Sequence, residues 1–337
     1  MQPVCQRNRD WRFGRVIDQC WCKTTPASDK ERVKYGFDRA SNRKWRRNTV
    51  ADALTKREDE FYTYDALNQA KGLARGKLNA GKTGLETPPP APSWEEYWNY
   101  DATGNWSAAT MAAYLTKVDG ATTLDQSRTH NVANELATIT NSGGSSQWPN
   151  PGYDALGSFT TTPKPMAPEA SFGLKWDAWN RMVEVTAGGN FVARWAYDGA
   201  NRRVSQLNGE ECRHYFYSDQ WQVLEERTGD NASAERSFIW GRRGVDDLVC
   251  RDRGGERLYV LNDPANVTAI VDVIGAVQER YGYSGFGVPR FMDANFDSRS
   301  SSDFDWETLF GGYRYDAKTG LYLPRERILH ADRKSVV

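Results

Sequence analysis

The chain has 337 residues, 39% hydrophobic and 12% aromatic, and its 44 Lys plus Arg balance 44 Asp plus Glu. A formal net charge of zero excludes the overall field that draws a protein to nucleic acid or to an acidic membrane. A mean hydropathy of -0.74, with no run near the roughly 18 apolar residues of a membrane span, argues against a transmembrane helix.

With 13 Trp and 16 Tyr, the composition suits half-buried sheet faces better than a deep aliphatic core. The fold class it points to is all-β. The odd set Cys5, Cys20, Cys22, Cys212 and Cys250 lacks paired CxxC spacing, and His130, His214 and His330 are isolated, so no zinc pattern, metal site or cofactor is expected. The opening residues lack the apolar stretch of a signal peptide. Residues 1–32 are unassigned or a partial repeat; within them, Cys20-Trp21-Cys22 places two thiols on one strand face, read as an ordinary reduced pair.

From residue 33 an aromatic-Asp pair recurs: Phe37-Asp38, Tyr64-Asp65, Tyr100-Asp101, Tyr153-Asp154, Trp176-Asp177 and Tyr197-Asp198, most followed three or four residues later by Asn. Asp219 is read as continuing the series, so that Asp177, Asp198 and Asp219 stand 21 residues apart. Repetition of this kind marks stacked units, each unable to bury its face alone. In the tight region the turn from Asp177 to Asn180 alternates with Ala187-Gly188-Gly189-Asn190, leaving strands at 181–186 and 191–197. In the next unit Asp198 to Asn201 closes one end, and Asn208-Gly209, read as a type I′ dipeptide, closes the other. An Asp side chain accepts local backbone N–H groups, and Asn or Gly tolerates the left-handed conformation by which the chain reverses.

Several segments interrupt or extend this pattern. Gly76 to Thr83 satisfies GxxxxGK[ST], but no buried strand precedes it and prolines stand where the helix of a P-loop should run. Residues 87–92 and 141–168 read as insertions within one repeat array spanning 33–255, and Ser107 to Val118 carries a weak helical preference. Strands are expected at 257–261 and 268–273, with the meander running to about residue 287. Asp293 to Asp297 alternates oxygen ligands as a calcium loop does, yet Ser298 and Phe304 stand where Gly and a bidentate Glu belong.

Trp176-Asp177-Ala178-Trp179-Asn180-Arg181 and Tyr197-Asp198-Gly199-Ala200-Asn201-Arg202 resemble the tyrosine-aspartate (YD) repeats of bacterial RHS proteins and of animal teneurins. Residues 256–331 resemble the RHS repeat-associated core, on Tyr259 to Pro264, Tyr281 to Gly287 and Phe310 to Tyr322. The resemblance implies an array of antiparallel hairpins in a curved, spiralling sheet, part of a hollow shell that encloses or presents a C-terminal effector, and a secreted or cell-surface location. It implies a scaffold and not an enzyme. A cell-surface adhesion or glycan-binding array is the alternative, with surface glycans or other cells as partners, and a P-loop enzyme ranks last. In toxin-bearing relatives the core ends in an Asp-Pro segment linked to self-cleavage; here Leu323 to Arg327 runs into His330-Ala331. Residues 332–337 resemble a translated sequencing adapter, so the native protein is expected to continue.

Overall fold

The structure, a computed structural model, describes residues 4–331 apart from 12–13, 87–91, 108–111, 144–145, 166, 264 and 326. The suspected tail, the proline run and Pro264 lie outside the described residues. Two compact units result, residues 1–147 with 293–297, and residues 148–292 with 298–337; the border falls inside the stretch read as the second insertion.

Among its described residues the first unit holds one ten-stranded sheet ordered as in the sequence. Its strands are β1 (Cys5–Trp11), β2 (Arg15–Thr24), β3 (Ala27–Phe37), β4 (Arg43–Asn48), β5 (Asp59–Tyr64), β6 (Ala70–Gly76), β7 (Trp94–Trp98), β8 (Tyr114–Val118), β9 (Ala121–His130) and β10 (Leu136–Ser142). One helical turn, α1 (Thr49–Ala53), follows β4, capped by the Asn48 side chain, which accepts from the N–H groups of Val50 and Ala51. The helical preference of 107–118 is corrected at its end: residues 114–118 are β8, because pairing with β7 and β9 outweighs weak propensity. Residues 108–111 lie outside the described residues.

The second unit repeats the plan with fifteen described strands, again in sequence order. They are β11 (Gly152–Tyr153), β12 (Phe159–Lys164), β13 (Ala167–Trp176), β14 (Met182–Ala187), β15 (Asn190–Tyr197), β16 (Arg203–Asn208), β17 (Glu211–Tyr217), β18 (Val223–Thr228), β19 (Arg236–Trp240), β20 (Leu248–Arg253), β21 (Glu256–Asp263), β22 (Asn266–Val271), β23 (Val277–Tyr283), β24 (Pro289–Met292) and β25 (Ser298–Arg299). The meander thus extends beyond residue 287.

Strand pairing explains the turn chemistry. Ala187 pairs with Asn190, so Gly188 and Gly189 form a two-residue loop, both with positive φ (56° and 80°). The type I′ reading of Asn208-Gly209 is corrected: Asn208 pairs with Glu211 as a strand residue, and the loop is Gly209-Glu210, with positive φ on Gly209 alone of the two. On β15 the period of two buries Ala193 and Trp195 and leaves Phe191 exposed.

Beyond β25 no further described strand joins this sheet. A 3₁₀ turn at Phe310–Gly312 and a small hairpin, β26 (Tyr315–Asp316) with β27 (Leu321–Tyr322), lead to residue 331. This segment completes both apolar clusters of the unit. Leu321, Leu323 and Ile328 pack with Phe172, Leu174, Met182, Val185 and Trp195. Trp306, Leu309, Tyr315, Tyr322 and Ala331 pack with Leu258, Val260, Ile270, Tyr281 and Phe291. A half-polar sheet strip has no core until something covers its apolar face, and here the cover is the chain's own C-terminal segment.

Candidate functional site: a turn ladder and a docked segment

The aromatic-Asp turns share one hydrogen-bond scheme. In the turn from Asp198 to Arg202, the Asp198 N–H donates to the Arg202 carbonyl (3.0 Å), and the Asn201 N–H donates to the Asp198 carbonyl (3.1 Å). The Asp198 carboxylate accepts from the N–H groups of Ala200 and Arg202, both at 2.9 Å. Asn201 is left-handed at φ 64°. This is a three-residue hairpin loop, a type I turn plus one left-handed residue, with an acid side chain satisfying two otherwise idle donors.

Asp65, Asp101, Asp154 and Asp177 make the same bonds, with left-handed Asn68, Gly104, Gly157 and Asn180 three residues on. Asp38 accepts from the Asn42 N–H and side chain, and Ser41 is left-handed. Asp219 requires correction: the place belongs to Ser218, whose hydroxyl accepts from the N–H groups of Gln220 and Gln222, before left-handed Trp221. Tyr217 is the aromatic, and strand pairing sets the interval one residue shorter than the sequence suggests.

Four further turns of the kind escape an aromatic-Asp search. Asn131 and Ser284 replace the acid, while Asp272 and Asp293 follow Val271 and Met292. The usable signal was a short polar side chain three residues before Asn or Gly, and at Phe296 even that is missing. The carboxylate expected of a calcium loop at Asp293 therefore serves its own turn, and no described group of three His, Cys, Asp or Glu is placed to hold a metal ion.

The preceding aromatic reaches back across one strand. Tyr197 donates its hydroxyl to the carbonyl of Met182, the first residue of β14 (2.7 Å), and Tyr217 to that of Arg203, the first of β16 (2.7 Å). Tyr64 to Arg43 (2.9 Å), Tyr100 to Ala70 (2.6 Å), Trp176 to Phe159 (2.7 Å) and Trp240 to Val223 (2.8 Å) repeat the contact. An apolar ring with a polar tip is what such a staple demands.

A second set of bonds joins turn to turn. The side chain that ends one turn donates to the left-handed residue of the next: Asn42 to Asn68 (2.8 Å), Asn105 to Asn134 (2.6 Å), Ser158 to Asn180 (2.7 Å) and Arg181 to Asn201 (3.1 Å). Asn at the left-handed place thus serves twice, through its backbone and as an acceptor.

The docked segment is held by buried charge. Glu226, fully buried on β18, meets Arg213 (3.3 Å), Arg236 (3.6 Å) and Arg314. Glu307 meets Arg213 (3.2 Å), Arg236 (3.1 Å) and Arg314, and the Arg314 guanidinium lies 4.6 Å over the Tyr215 ring. Burial pushes the Glu226 carboxyl up, but Arg314, Arg236 and Arg213 outweigh it and hold the group below its ordinary range. Arg203 donates to the carbonyls of Leu323 (3.2 Å) and Arg327 (2.9 Å), Arg251 to those of Phe304 (2.9 Å) and Asp305 (3.0 Å), and buried His330 Nε2 lies 2.9 Å from the Pro163 carbonyl. Beside the network is a cavity of about 650 Å³ with both signs of charge on its walls.

The P-loop candidate resolves as another turn. Asn79 caps it by accepting from the Thr83 N–H (3.0 Å), Lys82 is left-handed with its ammonium 4.5 Å from the Trp45 ring, and Leu78 bridges Leu85 where the helix would start. The sequence reading is corrected on one side, since a partly buried strand, β6, does precede the motif; among the described residues no helix follows it, and the phosphate-binding nest and helix are not formed. Trp21, Trp98, Trp106, Trp195 and Trp306 are buried in packing, while Trp179 is exposed.

No family model and no curated protein matches the chain. Solved structures do. The Photorhabdus luminescens Tc holotoxin pore, carrying a TccC3 mutation, aligns over 98% of this chain and 16% of its own at 16% identity and a TM-score of 0.69. TcdB2-TccC3 aligns over 97% of this chain and 17% of its own at 16% identity and a TM-score of 0.67. TcdB2-TccC3 without its hypervariable C-terminal region gives 97% and 16% coverage, 16% identity and a TM-score of 0.68. The chain spans about one sixth of the solved chains it matches. The likeness establishes the all-β RHS-type fold that the sequence resemblance implied.

Proposed function

We propose that this chain is a section of an RHS-type shell, a secreted scaffold that encloses a C-terminal effector carried by the longer protein. The observation that carries the reading is the direction of the chain. After β25 the polypeptide turns back over one face of its own sheet and buries Ala331 there, in the cluster with Leu258, Ile270 and Phe291. The last described residue therefore lies in the covered cluster, which supports a reading in which the cargo is enclosed on that face. The turns at Asp38, Asp65, Asp101, Asp154, Asp177 and Asp198 serve the scaffold by fixing hairpin after hairpin. Residues 33–255 act as the repeats and 256–331 as the core that seats the chain end. Among the described residues no helix is long and apolar enough to cross a membrane.

The experiment is protease protection. The uninterrupted gene product, treated with trypsin, is expected to keep its region after residue 331 intact while the same region expressed alone is degraded. Equal degradation of the two, or a gene that ends without a further region, would overturn the proposal.

A further inference from the structure

The sequence places Cys20 and Cys22 on one strand face, but the structure brings a third thiol to them. Cys5 on β1 is the direct cross-strand partner of Cys22 on β2, and their Sγ atoms stand 3.6 Å apart. Directly opposed antiparallel residues have Cα atoms about 4.5–5.5 Å apart, inside the roughly 4.4–6.8 Å range of disulfides. Cys20 and Cys22, two residues apart along one strand, are separated by about 6.6 Å of rise, at the far limit of that range, with parallel side chains. We propose that Cys5 and Cys22 are a modification site, a thiol pair that a small disulfide oxidises to a cross-strand bridge.

The roles follow from exposure. Cys5 is exposed and Cys22 buried, so the Cys5 thiolate attacks the external disulfide, forming a mixed disulfide and releasing one small thiol. The Cys22 thiolate then attacks the Cys5 sulfur and releases the second small thiol. Two protein thiols are oxidised and one external disulfide is reduced to two thiols, so atoms and electrons balance. Cys20 stays out of the exchange by geometry: burial raises both the Cys20 and the Cys22 thiols, but the Cys20 thiol is turned to the Asp29 carboxylate (3.3 Å) while Cys22 Sγ faces Cys5.

The bridge would join β1 to β2, neighbours among the described strands of the first sheet. Local opening parts paired strands, and a covalent tie between β1 and β2 suppresses that opening. The pair thus ties β1 to β2 in an oxidising exterior and leaves them without that tie in a reducing interior.

The test uses the full chain, purified reduced and incubated with oxidised glutathione, then alkylated and digested without reductant for mass spectrometry. A peptide joining Cys5 to Cys22 is expected, together with slower amide exchange in β1 that the Cys5→Ser chain does not show. A Cys20–Cys22 peptide, glutathione retained on Cys5, or both thiols still alkylatable would overturn it.

Discussion

Asp198 shows why a short acid recurs at these turns. Its carboxylate takes two backbone N–H groups and also the Arg202 guanidinium at 2.7 Å, donors that a tight loop leaves without strand partners. Asp198→Ala should lower unfolding stability by about 1–2 kcal/mol in urea titration, the usual loss of a capping acceptor. Charge adds a pH dependence that is clearest at Asp101. Burial raises that carboxyl, but hydrogen bonds from Thr103 and Asn105 outweigh it and bring it down to about 2 from an ordinary 3.8. A depressed acid contributes stability that is present above the unfolded value and lost as pH falls through the folded one, here from about 4 to about 2. Asn131 makes the same turn without ionising, so Asp101→Asn should keep the fold and lessen the fall in melting temperature between about pH 4 and 2. At this scale the sequence was legible where an aromatic flanked the acid. Ser218 was hidden because Ser and Asp are adjacent there and both make such turns; only the pairing of Tyr217 with Val223 chooses between them.

Hairpins were legible as elements because their turn residues announce them. The strands at 182–187 and 190–197 stand within a residue of their expected limits, since Gly188-Gly189 takes at little steric cost the two positive φ values that a two-residue hairpin loop requires. Residues 114–118 show the opposite: their local preference is weak and two neighbouring strands decide. The staple from each strand end to the start of the strand before it had no direct sequence signal beyond the aromatic itself. Tyr197→Phe keeps the ring and removes the hydroxyl bond to Met182, so a loss of about 1 kcal/mol is expected. Severing the turn-to-turn bond with Arg181→Ala should speed amide exchange at Asp198 to Arg202 while β21 and β22 keep their protection, measured by hydrogen exchange.

The covered face of the second unit was the least legible feature. Arg213 meets Glu307, and Arg203 meets Leu323, across separations no local pattern predicts. The core signature marked the segment but not its seat. Removing one partner from a buried ion cluster strands the others in a low-dielectric site, so Arg314→Ala should cost about 3–5 kcal/mol and expose the segment to protease. Because the Glu226 carboxyl is held below its ordinary range, the cluster's contribution is present above the unfolded value of a Glu and lost as pH falls below it. Acid should therefore loosen the segment in the wild type more than in a Glu226→Gln chain, read by tryptophan fluorescence of Trp306. The most direct test of the scaffold account is a cryo-electron microscopy structure of the uninterrupted gene product. The account predicts that the polypeptide after Ala331 leaves on the covered face of the sheet and lies inside an enclosed chamber; an open strip, or a downstream region lying outside it, would contradict the account.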